Sequence, residues 1–315
     1  MEEIKQTGLN IEQEEQDSSE MDYMFGSTGL GLAVRRENGD WRDILPTGER
    51  QRKGVETMSC VAQSNCKVSQ IEFTEFMHTP GLADDDFKWL EENGYFDDNG
   101  NINFSDRYLA RLSGTTSRGN SLKRVADVSR KFGYVPEALW PHEEGMSWGQ
   151  YYESVPATVF NLGREFAKRF PMKYEKVQRN EFSEAIKRNP LQIALHAWPE
   201  PINGIYMKTP YSINHASSLV APQWYDFDSY IDRVDNDFVK HLSPDYIFMS
   251  YGYRFIFTLK AKVKEGLVTK VDGEVDGEFV PEGTYISKSQ AFRWMKRMVG
   301  YIGLAFKRIG GIFKN

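Results

Sequence analysis

A cysteine, a histidine and an aspartate stand along this chain in an order that suits covalent attack on a carbonyl carbon. Cys60 opens the run Cys60-Val61-Ala62-Gln63-Ser64. His215 lies 155 positions downstream in Ile213-Asn214-His215-Ala216, and Asp228 follows 13 positions later in Asp228-Ser229-Tyr230. A thiolate attacks carbonyl carbon far better than a thiol, so a nucleophilic cysteine needs surroundings that favour negative charge. The N-terminus of a helix supplies part of that through its unpaired N–H groups and its dipole. A histidine beside the sulfur stabilises the thiolate and then returns a proton to the leaving group, the role open to His215. Asp228 could accept a hydrogen bond from that imidazole and fix its tautomer and orientation. The main-chain N–H of Cys60 would hold the developing oxyanion, and Gln51 is the only nearby upstream glutamine that could join it.

The elements that must position these groups can be read from apolar spacing. Ala62, Cys66, Phe73, Phe76 and Met77 recur at helical intervals, which predicts a helix starting near Cys60. Cys66 belongs to that stripe and is expected to be buried, so Cys60 is the better nucleophile. A polar loop over 113–120 leads into a second helix with Leu122, Val125, Val128 and Phe132 on its inner face, ending near Gly133. A further helical stretch over 180–188 precedes Pro190. Beyond it, apolar runs over 191–197, 216–221, 246–248, 253–259 and 267–271 predict strands. His215 starts one of them, and His196 is expected to be packed within another. Helices first and strands later make an α+β plan.

Composition sets the outer limits. A chain of 315 residues, 40% hydrophobic and 14% aromatic, can bury one large core or two modest ones. A net charge of −6 argues against a nucleic-acid partner, since phosphate neutralisation needs concentrated Lys and Arg. Two cysteines, Cys60 and Cys66, provide no disulfide framework and point to a reducing compartment. His78, His142 and His241 share no ligand spacing with the cysteines, so neither a metal nor a cofactor is expected. Gly29-Leu30-Gly31-Leu32 lacks the third glycine and the lysine of a phosphate loop. Residues 1–38 are expected to be an acidic tail or short leader without the features of a signal peptide, the first 22 or so being either a solvated leader or a short inhibitory or docking arm, and no apolar run is long enough to span a membrane. Residues 263–315 read as a C-terminal extension: a hairpin around Asp272-Gly273 and Asp276-Gly277, then a basic amphipathic helix suited to its own domain, a membrane surface or a protein partner.

With these residues in place, the chain resembles the papain family of cysteine peptidases over roughly residues 40–260. Cys60-Val61-Ala62-Gln63-Ser64 matches the family's Cys-Trp-Ala-Phe-Ser run, and Ile71-Glu72 echoes the pair later on the same helix. Pro190 to Ala216 follows a buried strand, a Gly-Ile-Tyr turn and the Asn/Asp-His-Ala of the catalytic histidine. Asp228-Ser229-Tyr230 takes the place of Asn-Ser-Trp. Gly119, Ser121, Tyr134-Val135-Pro136-Glu137 and Trp140-Pro141 resemble the cleft glycine loop and the segments after it. The spacing from Cys60 to His215 is slightly longer than the roughly 130–150 residues usual between these partners. The departures are Val61 in place of Trp, a Gln51 further from its cysteine, the absence of the family's disulfides, and the acidic 1–38 segment where a long propeptide would stand.

The resemblance implies a two-lobed catalytic domain over 39–262, with a helical N-terminal lobe and an antiparallel β-rich C-terminal lobe. It implies a cysteine peptidase acting on peptide or isopeptide bonds through a Cys-His-Asp site and a thioester acyl-enzyme, with a polypeptide substrate contacted by Gly119, Ser121 and Asn214. The divergent pattern fits the short papain-like peptidases that bacteria and their viruses carry, placing the chain in the cytoplasm or in association with a virion. Two other readings stay open: a catalytically lapsed papain-like module serving as a structural or binding part of a larger assembly such as a phage particle, and an amidase acting on cell-wall peptides.

Overall fold

In the computed structural model of the protein, which describes residues 8–17, 22–78, 81–232 and 237–260, helices fill the first half of the chain and strands the second. The helices are α1 (Ile11–Asp17), α2 (Cys60–His78), α3 (Asp84–Glu92), α4 (Asp106–Leu112), α5 (Leu122–Phe132), α6 (Trp148–Tyr151), α7 (Ala157–Arg169) and α8 (Phe182–Ala185). A two-residue pair, β1 (Arg52–Lys53) and β2 (Val55–Glu56), turns at Gly54 shortly before α2. The remaining strands are β3 (Met172–Gln178), β4 (Leu191–Leu195), β5 (Ile205–Tyr206), β6 (His215–Ala221), β7 (Tyr225–Phe227), β8 (Val239–Leu242) and β9 (Tyr251–Phe257). They form one seven-stranded sheet in the order β3-β9-β4-β6-β7-β8-β5, antiparallel throughout except where β5 runs parallel to β8.

Helix α2 holds the two lobes together. Phe73 points into the helical lobe, where its ring meets those of Phe104, Phe166, Phe170 and Phe257 at centroid distances of 4.7 to 5.7 Å. Ile71 instead joins the core of the sheet lobe with Leu191, Ile193, Leu219 and Phe227. A helix enclosed on both sides cannot keep a solvated polar face, so its buried polar groups need internal partners. Asn65 Oδ1 accepts from Tyr134 Oη at 2.7 Å, Gln70 Nε2 donates to the Ile102 carbonyl at 3.0 Å, and Glu72 Oε2 accepts from Asn189 Nδ2 at 2.6 Å.

The helix expected after the polar loop is α5. Ser121 caps it, accepting from the Arg124 N–H at 3.1 Å, and Gly133 ends it at φ +69°, where a side chain would strike the Gly163 carbonyl. In β4 and β6 every residue is buried, so neither strand alternates between an apolar and a solvated face, and their polar members Gln192, Ser217 and Ser218 bond to groups inside the protein. Their register pairs Leu195 with His215, placing the histidine at the end of β6.

Several expectations are corrected. Residues 8–17 are not a solvated tail: Leu9 is 3% exposed, α1 packs on α5, and the Glu14 carboxylate is buried, accepting from the Lys123 N–H at 3.1 Å and Tyr251 Oη at 2.9 Å. Acidic composition hid one buried leucine and one acid whose partners lie over a hundred residues away. The stretch over 180–188 is a 3-10 turn followed by the four-residue α8 rather than a full helix. Residues 246–248 contribute only an isolated bridge from Phe248 to Leu195. The expected C-terminal hairpin and basic helix of 263–315 lie outside the described residues. Among the described residues, no helix is long and apolar enough to cross a membrane.

Candidate active site

Helix α2 begins at Cys60, so the sulfur sits at the N-terminus of a 19-residue helix, where free N–H groups and the dipole favour negative charge. The backbone entering it is constrained: Met58, a residue with a full side chain, adopts φ +55°, a conformation that costs energy and is held by its surroundings. Opposite, β6 presents His215 and Ala216. The Ala216 N–H donates to Cys60 Sγ at 3.4 Å, which joins the nucleophile helix to the histidine strand.

His215 is fully buried and its Nε2 lies 2.5 Å from Asp228 Oδ1. Its other ring nitrogen, Nδ1, has no aligned hydrogen-bond partner among the described residues, and Cys60 lies close enough to the ring to act on its titration. Burial opposes a charged imidazole, but the nearby Asp228 and Cys60 outweigh it and push the His215 pKa up to about 10. Asp228 is held well below the usual carboxylate range: its burial is overcome by His215, Lys240 and Lys67.

The partners of Asp228 were not legible as site residues. Trp198 Nε1 donates to its Oδ2 at 2.5 Å, and Lys240 Nζ lies 3.2 Å from the same oxygen with 1% of its side chain exposed. Lys67, on α2, donates from Nζ to the Asp228 main-chain carbonyl, and burial pulls its pKa down to about 8. The Trp198 ring stands edge-on to His215 at 5.9 Å and Tyr230 packs on it at 5.4 Å, so the imidazole is walled from water. Neighbouring Asp226 is pushed up to about 7 by burial and by the Asp228 charge. Lys67 lies on a helix whose neighbouring residues are buried, and a buried ammonium requires an anion nearby.

The structure thus brings Cys60, His215 and Asp228 together. Gln51 is also near, and fully buried. Its Nε2 donates to Glu56 Oε1 at 2.5 Å and Tyr230 Oη at 3.1 Å, and its Oε1 accepts from Ser229 Oγ at 3.2 Å. Cys66 is buried in α2, and burial together with nearby carboxylates pushes its thiol pKa well up. His196 is not packed within β4, which ends at Leu195; the ring is half-buried beside Tyr211 at 5.3 Å.

Gly119, Ser121 and Asn214 surround a different occupant: the chain's own residues 8–10. The Asn120 N–H donates to the Gly8 carbonyl at 2.9 Å, the Asn10 N–H to the Asn120 carbonyl at 2.9 Å, and the Leu9 N–H to the Asn214 carbonyl at 3.3 Å. A side chain at Gly119 would collide with the Gly8 carbonyl, and one at Gly8 with the Met58 carbonyl. Segment 8–10 therefore crosses the surface bounded by the residues beside Cys60 and His215. Ser121 is committed as the α5 cap and also donates to Asp17 Oδ2 at 2.6 Å. The Asn214 side chain braces the loop after β4, accepting from the Ala197 N–H at 2.9 Å.

No protein-family model matches the chain, and no curated protein matches it. Solved structures do. Procathepsin B S9 from Trypanosoma congolense aligns over 81% of this chain and 87% of its own, with 9% identity and a TM-score of 0.50. Xylellain, a cysteine protease from Xylella fastidiosa, aligns over 82% of this chain and 99% of its own, with 12% identity and a TM-score of 0.48. Digestive procathepsin L2 from Tenebrio molitor aligns over 81% and 78%, with 14% identity and a TM-score of 0.44.

Proposed function

We infer that this chain, which has the papain-like two-lobed fold, hydrolyses peptide bonds with Cys60 as nucleophile. The observation that carries the reading is the convergence of three segments: Cys60 Sγ contacts the Ala216 N–H at 3.4 Å, and adjacent His215 is bonded to Asp228 at 2.5 Å. In the proposed reaction the Cys60 sulfur attacks the scissile carbonyl carbon and its electrons move onto oxygen. The Cys60 main-chain N–H stabilises that oxyanion. Gln51 joins it only after its amide leaves Glu56 and Tyr230. His215, charged and steered by Asp228, gives its proton to the departing amine as the carbon–nitrogen bond breaks, leaving a thioester. Water, deprotonated by His215, then attacks the thioester carbon, and as the carbon–sulfur bond breaks the acid leaves and the Cys60 thiolate is restored beside the recharged imidazole.

A polypeptide substrate is supported by the way the chain lays its own residues 8–10 along Asn120 and Asn214 through main-chain hydrogen bonds. Such bonds read backbone rather than side chain and suit any extended peptide. On this reading segment 8–10 holds the cleft closed until it is displaced. The 0% exposure of Cys60 and the committed amide of Gln51 favour a second reading, a module whose chemistry has lapsed.

Cleavage of a denatured protein by the full chain and its Leu9→Ala variant separates the two. Hydrolysis that disappears with Cys60→Ala supports the peptidase. No Cys60-dependent cleavage from either, with both folded, supports the lapsed module.

A further inference from the structure

Three acidic side chains from three separate segments meet beside the first turn of α2. Glu49 comes from the loop before β1, Asp106 from the start of α4 and Glu137 from the segment after α5, and their ligand oxygens all lie within 4.8 Å of one another. Carboxylates so close repel strongly where water is scarce. Two ammonium groups stand near: Lys67 lines the same small cavity but donates to the Asp228 carbonyl, and Lys53 donates to the His142 carbonyl at 2.7 Å, so neither pairs with the three carboxylates.

An independent observation lies on α2. Gln63 is 2% exposed and its Nε2 donates to Asp106 Oδ2 at 3.1 Å, yet its Oε1 has no hydrogen-bond partner among the described residues. Asp106 Oδ1 and Glu137 Oε2 are likewise without one. A native interior leaves few buried oxygens unpaired, and here three belong to one cluster. Glu49, Gln63 and Asp106 line a cavity of about 10 Å³, close to the room one water-sized species needs.

We propose that Glu49, Asp106, Glu137 and the side-chain carbonyl of Gln63 bind a calcium-like divalent cation. All four donors are hard oxygens, the set such ions prefer. Ions with oxygen ligands at about 2.3–2.6 Å accept donors up to about 5 Å apart, whereas magnesium, at about 2.0–2.1 Å, draws opposite donors to about 4.2 Å. Donors within 4.8 Å of one another can close on an ion of that size, and the four protein oxygens from separate segments suit the looser coordination of the larger ion. A bound cation would tie the loop before β1, α4 and the segment after α5 to α2. It would also steady Asp106, which accepts from Ser59 Oγ at 3.5 Å, the residue directly before Cys60.

The test uses the full chain, stripped with EDTA and exchanged into chelator-free buffer, titrated calorimetrically with calcium chloride and melted with and without the ion. One equivalent binding with a dissociation constant below about 1 mM and a Tm raised by several degrees is expected. Glu49→Gln and Glu137→Gln, which keep side-chain shape, should each weaken binding at least tenfold, and magnesium chloride should bind at least tenfold more weakly. Absence of calcium heat and of a Tm shift up to about 10 mM ion in the folded protein overturns the site. So does binding unchanged in both variants. Equal affinity for magnesium overturns the choice of a large ion.

Discussion

Leu9→Ala should uncover Cys60. Leu9 is 3% exposed and stands in the middle of a segment fixed by three main-chain hydrogen bonds to Asn120 and Asn214. Each such bond contributes about 0.5–1.5 kcal/mol net, and burying the leucine roughly 1.5–3 kcal/mol. Against this stands the entropy of ordering a short arm, about 1–2 kcal/mol per residue, so closure is marginal and sensitive to any one contact. Truncating Leu9 removes about 2 kcal/mol. With about 1.4 kcal/mol per factor of ten, the fraction of molecules with the arm displaced rises about 30-fold. The assay is the rate of iodoacetamide modification at Cys60, read by mass spectrometry of the peptide. Cys66, buried in the same helix, is the internal control. A Cys60 rate that rises about 30-fold while Cys66 stays slow supports the closed-cleft account. An unchanged Cys60 rate, or equal acceleration at both cysteines, refutes it, the latter because it reports general unfolding.

Replacing His215 with Ala in the Leu9→Ala background should slow Cys60 alkylation by at least about 100-fold near neutral pH, the order of magnitude that a positioned acid–base group contributes, measured by the same peptide mapping. The His215 pKa is raised to about 10, so its stabilising interaction is complete below the unfolded value of about 6.5 and is lost as pH rises through about 10. Melts should therefore show Tm falling from about pH 7 to 10, and less steeply in His215→Ala. Asp226 titrates in the opposite sense to a stabilised carboxylate: its folded pKa of about 7 means that the native state holds a proton the unfolded chain has released, so stability falls as pH rises from about 4 to 7. Asp226→Asn should accordingly gain Tm relative to wild type at about pH 8 and little or none at pH 4; an equal difference at both values contradicts the assignment. Phe73→Ala empties the centre of the aromatic cluster and should lower unfolding free energy by about 3–5 kcal/mol in urea titrations.

The proposed Cys-His-Asp site was legible because each member carries a local signature: a cysteine ahead of an apolar helical stripe, a histidine opening a buried strand and an aspartate just past the strand that follows. Helix α5 was legible for a similar reason, with Leu122, Val125, Val128 and Phe132 at helical spacing and Gly133 at its end, whereas the cap at Ser121 was not read. What escaped was long-range. Strand β3 alternates lysines and glutamate with apolar residues and looks solvated, but Glu175 is buried because Arg254 on β9 donates to it from Nε at 2.8 Å. Lys67 and Lys240 carry no local mark of their role, which exists only because the fold brings both to Asp228. Segment 8–10 has no helical or strand periodicity of its own, and its pairing with Asn120 exists only once α5 and the loop before it are in place. Patterns within one element can be read from spacing; ion pairs and edge pairings between elements depend on topology.

A thiol at position 60 that is a nucleophile activated by the imidazole at 215 is trapped by a peptidyl epoxide. Full-length Leu9→Ala protein should take up one equivalent, with the adduct on Cys60 alone, and folded Leu9→Ala, His215→Ala protein should take up almost none. Uptake shared equally with Cys66, or undiminished without His215, would rule out activation of Cys60 by His215.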